Sequence, residues 1–122
     1  MSENKFKEEV KSLILEKSKE AEAAGAAAAQ EILPIVFGKA KAFLRYLGEV
    51  EVKISWTQDD AHVKVGDEVF GLKDRKFLQE NIPNREVRIF RKAFERTIFG
   101  AFGLEYADYS SFTIKLEDIM KD

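Results

Sequence analysis

The residues best suited to chemistry by type and spacing stand in "TQDDAH", which carries Asp59, Asp60 and His62. Two carboxylates and one imidazole can ligate a divalent cation, but a structural site normally takes about four ligands at fixed geometry. An Asp-rich turn also has an ordinary use, since Asp accepts hydrogen bonds from nearby backbone N–H groups. No metal is assigned, and no cofactor is expected. Glu49, Glu51, Glu105 and Glu117 lie near strand-like segments and could supply acid–base pairs, yet nothing in their spacing separates an acid from a base. They read as solvated faces. Ser110 and Ser111 have no histidine within a recognisable motif, and the chain's single histidine leaves little choice of general base. "GDEVFGLK" lacks the GK[ST] ending of a phosphate-binding loop. Cysteine is absent, which excludes disulfides, thiolate nucleophiles and Cys-ligated metals, and fits a reducing compartment.

The densest charged motif is "NREVRIFRKAFERTIFGAFG", Asn84 to Gly103, with five basic residues and four phenylalanines. At 100° per residue, Arg85, Arg88, Lys92 and Arg96 fall within about 80° of one another. Val87, Phe90, Phe94, Ile98 and Ala101 gather on the opposite side, wide enough to face a core. A basic stripe can meet phosphates, but reading bases also needs polar side chains, and this stripe has no Asn, Gln, Ser or Thr. The formal net charge is −2, from 20 basic and 22 acidic side chains, so no molecule-wide field attracts a polyanion. Ile89 and Phe99 fall on or near the basic side, where large apolar groups call for a cover. That cover is a second subunit, another helix or a partner, and a second subunit is the preferred expectation because two-fold self-association is the commonest assembly.

Positioning these residues takes a single domain, residues 1–122, whose 122 residues can bury a core without metal or disulfide support. With 45% hydrophobic and 34% charged residues the chain is too apolar for disorder. Its longest uncharged runs have eight residues, well below the roughly 18 of a membrane span. "MSENKFKEEV" lacks the apolar core of a secretory signal, which makes cytoplasmic residence the expectation. Three Asn, three Gln and two Met beside abundant Lys, Arg and Glu give a thermophile-like composition.

A helix starts at Asn4, with Phe6, Val10, Leu13 and Ile14 at helical spacing. The alanine run "AEAAGAAAAQ" permits close approach of another helix, and residues 1–31 are the expected dimerisation element. Gly25 marks either a weak point or a break, and Pro34 limits the turn before it. Ile35 to Leu47 reads as an amphipathic helix ended by Gly48. "EVEVKISW" alternates with period two and forms a strand. "HVKVGDEVFGL" is either two strands about Gly66-Asp67 or one irregular strand. A short helix follows from Asp74, then the basic helix capped by Asn84, then strands in "LEYADY" and "SFTIKL". The fold class is α+β, in the order α-α-β-β-α-α-β-β, with helices packed on one face of an antiparallel sheet.

This order, with "AFLRYLGEVEVKISW" followed by a second strand and a punctuated helix pair, resembles the fold of transport-protein-particle subunits and 4-vinyl-reductase-type domains over roughly Ile32 to Glu117. That resemblance implies a helix-built dimer, an apolar pocket between helices and sheet, and binding or scaffolding more often than catalysis. Acylated or metal-binding members of that superfamily use cysteine, and haem-binding ones a helical histidine. This chain has no cysteine, and His62 lies in or beside a strand, so those activities are not implied. The expected pocket residues are Phe37, Phe43, Trp56, Phe90 and Phe94, against the simpler use of each as core filling. The expected function is therefore non-catalytic binding of an apolar small molecule or a protein partner. Nucleic-acid binding through Arg85, Arg88, Lys92 and Arg96 is the first alternative, and a small enzyme of unspecified reaction the second.

Overall fold

A computed structural model describes residues 2–57, 61–72, 82–106 and 111–121, with side chains from Asn4 onward. The fold is α+β, and a four-stranded antiparallel sheet in the order β3-β2-β1-β4 carries helices on one face. Its first element, α1, is a single helix from Ser2–Leu47, 46 residues and about 69 Å long at 1.5 Å per residue. Neither Gly25 nor Pro34 breaks it, and no separate helix begins at Ile35. Pro34 and the residue four before it, Gln30, are both exposed, so the proline that removes one helical N–H sits on the outer side of α1. Burial of Ala28, Ala29, Ile32, Leu33 and Val36 on the opposite side holds the backbone helical across that point.

Gly48, at φ 80°, ends α1 and donates its N–H to the Leu44 carbonyl over 2.9 Å. Strand β1, Glu49–Trp56, follows the expected alternation. Val50, Val52 and Ile54 are buried, while Glu49, Glu51, Lys53 and Ser55 are exposed. Strands β2, Ala61–Val65, and β3, Glu68–Gly71, are two strands about a tight turn, which decides the choice left open by the sequence. Gly66 at φ 63° occupies the first turn position, and Asp67 has negative φ, the sign pattern of a II′ hairpin turn. The positive φ favours glycine there, and a Cβ, which would lie 2.6 Å from the Phe43 ring, would also have to push that ring aside. Lys39 on α1 pairs with Glu68 on β3 at 3.2 Å across half-exposed surface.

The basic helix is α2, Asn84–Ala101. Its N-cap is Pro83, without a side-chain cap bond, so Asn84 is the first helical residue and not the cap. The Pro83 carbonyl instead accepts the N–H groups of Glu86 and Val87. Phe90, Ala93, Phe94, Ile98 and Phe99 are buried, whereas Ala101, expected on the core face, is exposed in the final turn. α2 crosses α1 closely. A Cβ on Gly25 would run into the Phe90 carbonyl oxygen and stand 3.0 Å from the Ala93 methyl.

Leu104–Tyr106 form no strand, contrary to the reading of "LEYADY". The Leu104 N–H bonds the Phe99 carbonyl at 3.0 Å, which keeps this segment turning back along α2. Strand β4, Ser111–Lys115, pairs with β1 and passes into one helical turn, α3, Leu116–Ile119. The short helix expected from Asp74, and the remainder of "LEYADY", lie outside the described residues. The core is one cluster, in which Val50, Val52, Ile54, Val63 and Val65 meet α1 and α2. Each such side chain contributes about 1.5–3 kcal/mol by leaving water.

Candidate functional site

Three parts of the molecule carry the side chains that the sequence singles out. The first is an aromatic row. Trp56, at the end of β1, lies edge-on to Phe94 at 5.3 Å and Phe90 at 6.3 Å. Phe90 and Phe94 are 3% and 0% exposed, so they fill the core instead of lining a cavity. Trp56 Nε1 donates to Glu95 at 3.3 Å, and the Tyr106 hydroxyl donates to the other Glu95 oxygen at 3.0 Å. Glu95 thereby fastens the end of β1 and the segment after α2 to one helix. Arg91 lies 5.2 Å over the Trp56 ring and Arg96 5.7 Å over Tyr106, both cation–π contacts.

The second part is the basic face. Arg85, Arg88 and Lys92 are exposed around half-buried Ile89, in a shallow depression of about 350 Å³. Arg96 is also exposed and lies over Tyr106, outside the depression that Arg85, Arg88 and Lys92 surround. Phe99 does not share that surface. It is 3% exposed, covered within the chain by Tyr106 at 5.5 Å and Phe112 at 4.8 Å. Its position on the helical wheel matches the basic side, but the segment Leu104–Tyr106 and strand β4 fold over the last turns of α2. The expected interface role of Phe99 is therefore corrected, since its own chain supplies the cover.

The third part is a groove that the sequence did not indicate. It lies between the C-terminal half of α1, the residues following α2, and the β4–α3 junction, with a volume of about 380 Å³. Phe37, Ala40, Leu44, Phe102, Leu104, Ile114 and Ile119 line it, with Lys41, Lys115 and Asp118 among its polar residues. Phe37 meets Phe102 edge-on at 5.0 Å, and Phe102 meets Phe112 at 5.1 Å, which gives the groove a rigid aromatic floor. Leu104 and Ile119 remain 40% and 56% exposed. Beyond the groove, Leu47, Leu116 and Met120 continue the apolar surface around a neighbouring depression.

Of the five expected pocket residues, only Phe37 reaches this groove. Phe43 lines a larger depression of about 540 Å³ near the Gly66 turn, whose edges include Glu49, Glu51 and Asp67. No family model, curated protein or solved structure matches the chain. Its functional reading therefore rests on geometry.

For metal chemistry, His62 is half-buried on β2, while Asp59 and Asp60 lie outside the described residues. Among the described residues no group of three or more His, Asp or Glu side chains could hold an ion. Glu49, Glu51, Glu105 and Glu117 are exposed, as is common for solvated carboxylates; Ser111 is half-buried in β4, and Ser110 is outside the described residues. Among the described residues no helix is long and apolar enough to cross a membrane.

Proposed function

We propose that the chain is a non-catalytic binding domain that takes an apolar small molecule into the groove between α1, β4 and α3. The observation that carries this reading is the groove itself. Its volume of about 380 Å³ falls in the range of small-molecule sites, and its floor is apolar with a few polar groups at the edge. Lys41 and Lys115 can orient a polar end of the ligand while Phe37, Phe102 and Ile114 take the apolar part. A protein partner inserting one or two apolar side chains would use the same surface. A cytoplasmic setting belongs to the proposal, consistent with the absence of cysteine.

The test uses 1-anilinonaphthalene-8-sulfonate as a fluorescent probe of the groove. Leu104→Glu and Ile119→Glu replace exposed side chains, so the fold tolerates them. Saturable probe binding, lost in the double variant with an unchanged thermal transition, is the expected result. Undiminished binding in that variant counts against the groove. A second reading, polyanion contact through Arg85, Arg88 and Lys92, draws on the exposure of these three side chains, which have no acidic partner among the described residues.

A further inference from the structure

We infer that the groove between α1, β4 and α3 takes an extended peptide, which adds to the free edge of β4 as one more strand of the sheet. The inference rests on the reading of that groove as a binding surface and names its occupant. It starts from the ladder between β1 and β4. Leu116 donates its N–H to the Gly48 carbonyl over 2.8 Å, so residues 48 and 116 form a hydrogen-bonded pair. In an antiparallel ladder such pairs alternate with open ones. The register therefore makes Val50 with Ile114, and Val52 with Phe112, the next hydrogen-bonded pairs. Ser111, Thr113 and Lys115 turn their N–H groups the other way, along the sheet and away from β1.

β4 stands at one end of the strand order, with no described strand beyond it. The N–H groups of Thr113 and Lys115 find no backbone partner among the described residues. These two outward-turned residues are also the ones that border the groove. An open row of this kind is a template for another strand, and natural sheets blunt it with proline, bulges or charges. β4 has neither proline nor bulge, and its one charged residue, Lys115, stands at its end.

Beside that edge the groove provides for side chains. A strand about 4.8 Å beyond β4 sends every second side chain toward one face of the sheet and the rest toward the other. On the core side those side chains meet Phe37, Phe102, Leu104 and Ile114. The sequence accepted is thus an alternation of apolar and polar residues. Charge adds a further requirement. Asp118, the acid of the lining, pairs with Lys121 at 3.8 Å. Lys41 and Lys115 form no ion pair among the described residues, so a carboxylate on the peptide complements them. Main-chain bonds supply affinity and the groove selectivity, which separates this mode from an apolar molecule held by the groove alone.

The probe is a short fluorescein-labelled peptide of alternating valine and threonine with a free C-terminal carboxylate, titrated against the full chain by fluorescence anisotropy. Saturable binding is expected. N-methylation at one alternate set of its amides should weaken binding about tenfold, and at the other set should leave it, because only every second residue of an added strand faces β4. Thr113→Pro deletes an outward N–H and no bond of the β1 ladder, a change that edge strands tolerate. This variant should keep the thermal transition and the binding of 1-anilinonaphthalene-8-sulfonate, yet bind the peptide about tenfold more weakly. Should it unfold early, the methylated peptides on the native chain still decide. Equal loss from both methylated sets overturns the inference, as does a peptide that fails to bind. Dye binding without peptide binding removes the added strand and leaves the groove, whereas failure of both removes the groove reading too. Self-association of the native chain that blocks the peptide and is lost in Thr113→Pro would overturn the inference in favour of a second copy on this edge.

Discussion

Gly25 shows how one missing methyl group sets the distance between two helices. The absent Cβ leaves room for the Phe90 carbonyl oxygen and the Ala93 side chain of α2. Two effects compete in Gly25→Ala. Alanine gains about 1 kcal/mol of intrinsic helix propensity. It also forces apart a contact that cannot yield by rotating a side chain, because the obstructing atom is backbone, and overpacking costs typically about 1–3 kcal/mol. We expect a net loss of about 1 kcal/mol in urea unfolding; a gain would show that the helices separate freely. Ile89 and Phe99 make the complementary point about legibility. On a helical wheel they are near neighbours among arginines, yet the structure leaves Ile89 at the surface and buries Phe99 under Tyr106 and Phe112. The wheel describes directions from one axis. It has no information about which distant segment returns to cover a given turn.

At the scale of elements, period and punctuation proved unequal guides. The alternation in "EVEVKISW" gave β1 its bounds and its buried face, because a strand with one dry side leaves a period-two trace whatever packs on it. Pro34 misled, since its local penalty is outweighed by apolar side chains of α1 buried on both sides of it. That imbalance makes a prediction. Pro34 is exposed within α1, so Pro34→Ala removes a penalty without disturbing packing. The variant should be more stable by about 1–3 kcal/mol, with helix content by circular dichroism equal to or above that of the native chain. Unchanged or lower stability would mean that a bend at Pro34 is needed to seat the helix on the sheet. Leu104–Tyr106 erred differently. Its apolar and aromatic residues looked like strand alternation, but they serve as a cover over the end of α2.

At the scale of the whole molecule, the α+β class and the one-sided sheet were legible, while the groove was not. Its lining comes from residues 37–44, 102–104 and 113–119, which only the tertiary fold brings together. Choosing aromatic side chains that face one layer favoured Phe90 and Phe94, the very side chains most useful for filling a core. The basic stripe was legible as a pattern, and magnitude decides what it can do. Arg85, Arg88 and Lys92 surround one depression and can meet phosphates together. Three neutralised phosphates give a salt slope of only about −2.7 in log–log form, against about −10 for a dedicated DNA-binding protein. With a net charge of −2, the rest of the molecule adds no long-range attraction. Titration of labelled duplex DNA and single-stranded RNA should therefore show binding weaker than about 100 µM near physiological salt. Lowering the salt fourfold should strengthen it by about 40-fold, and Arg88→Glu/Lys92→Glu should remove most of that gain. A tight complex that persists at high salt and is lost in the same variant would reverse the ranking, making the charged face of α2 the functional surface and the groove secondary.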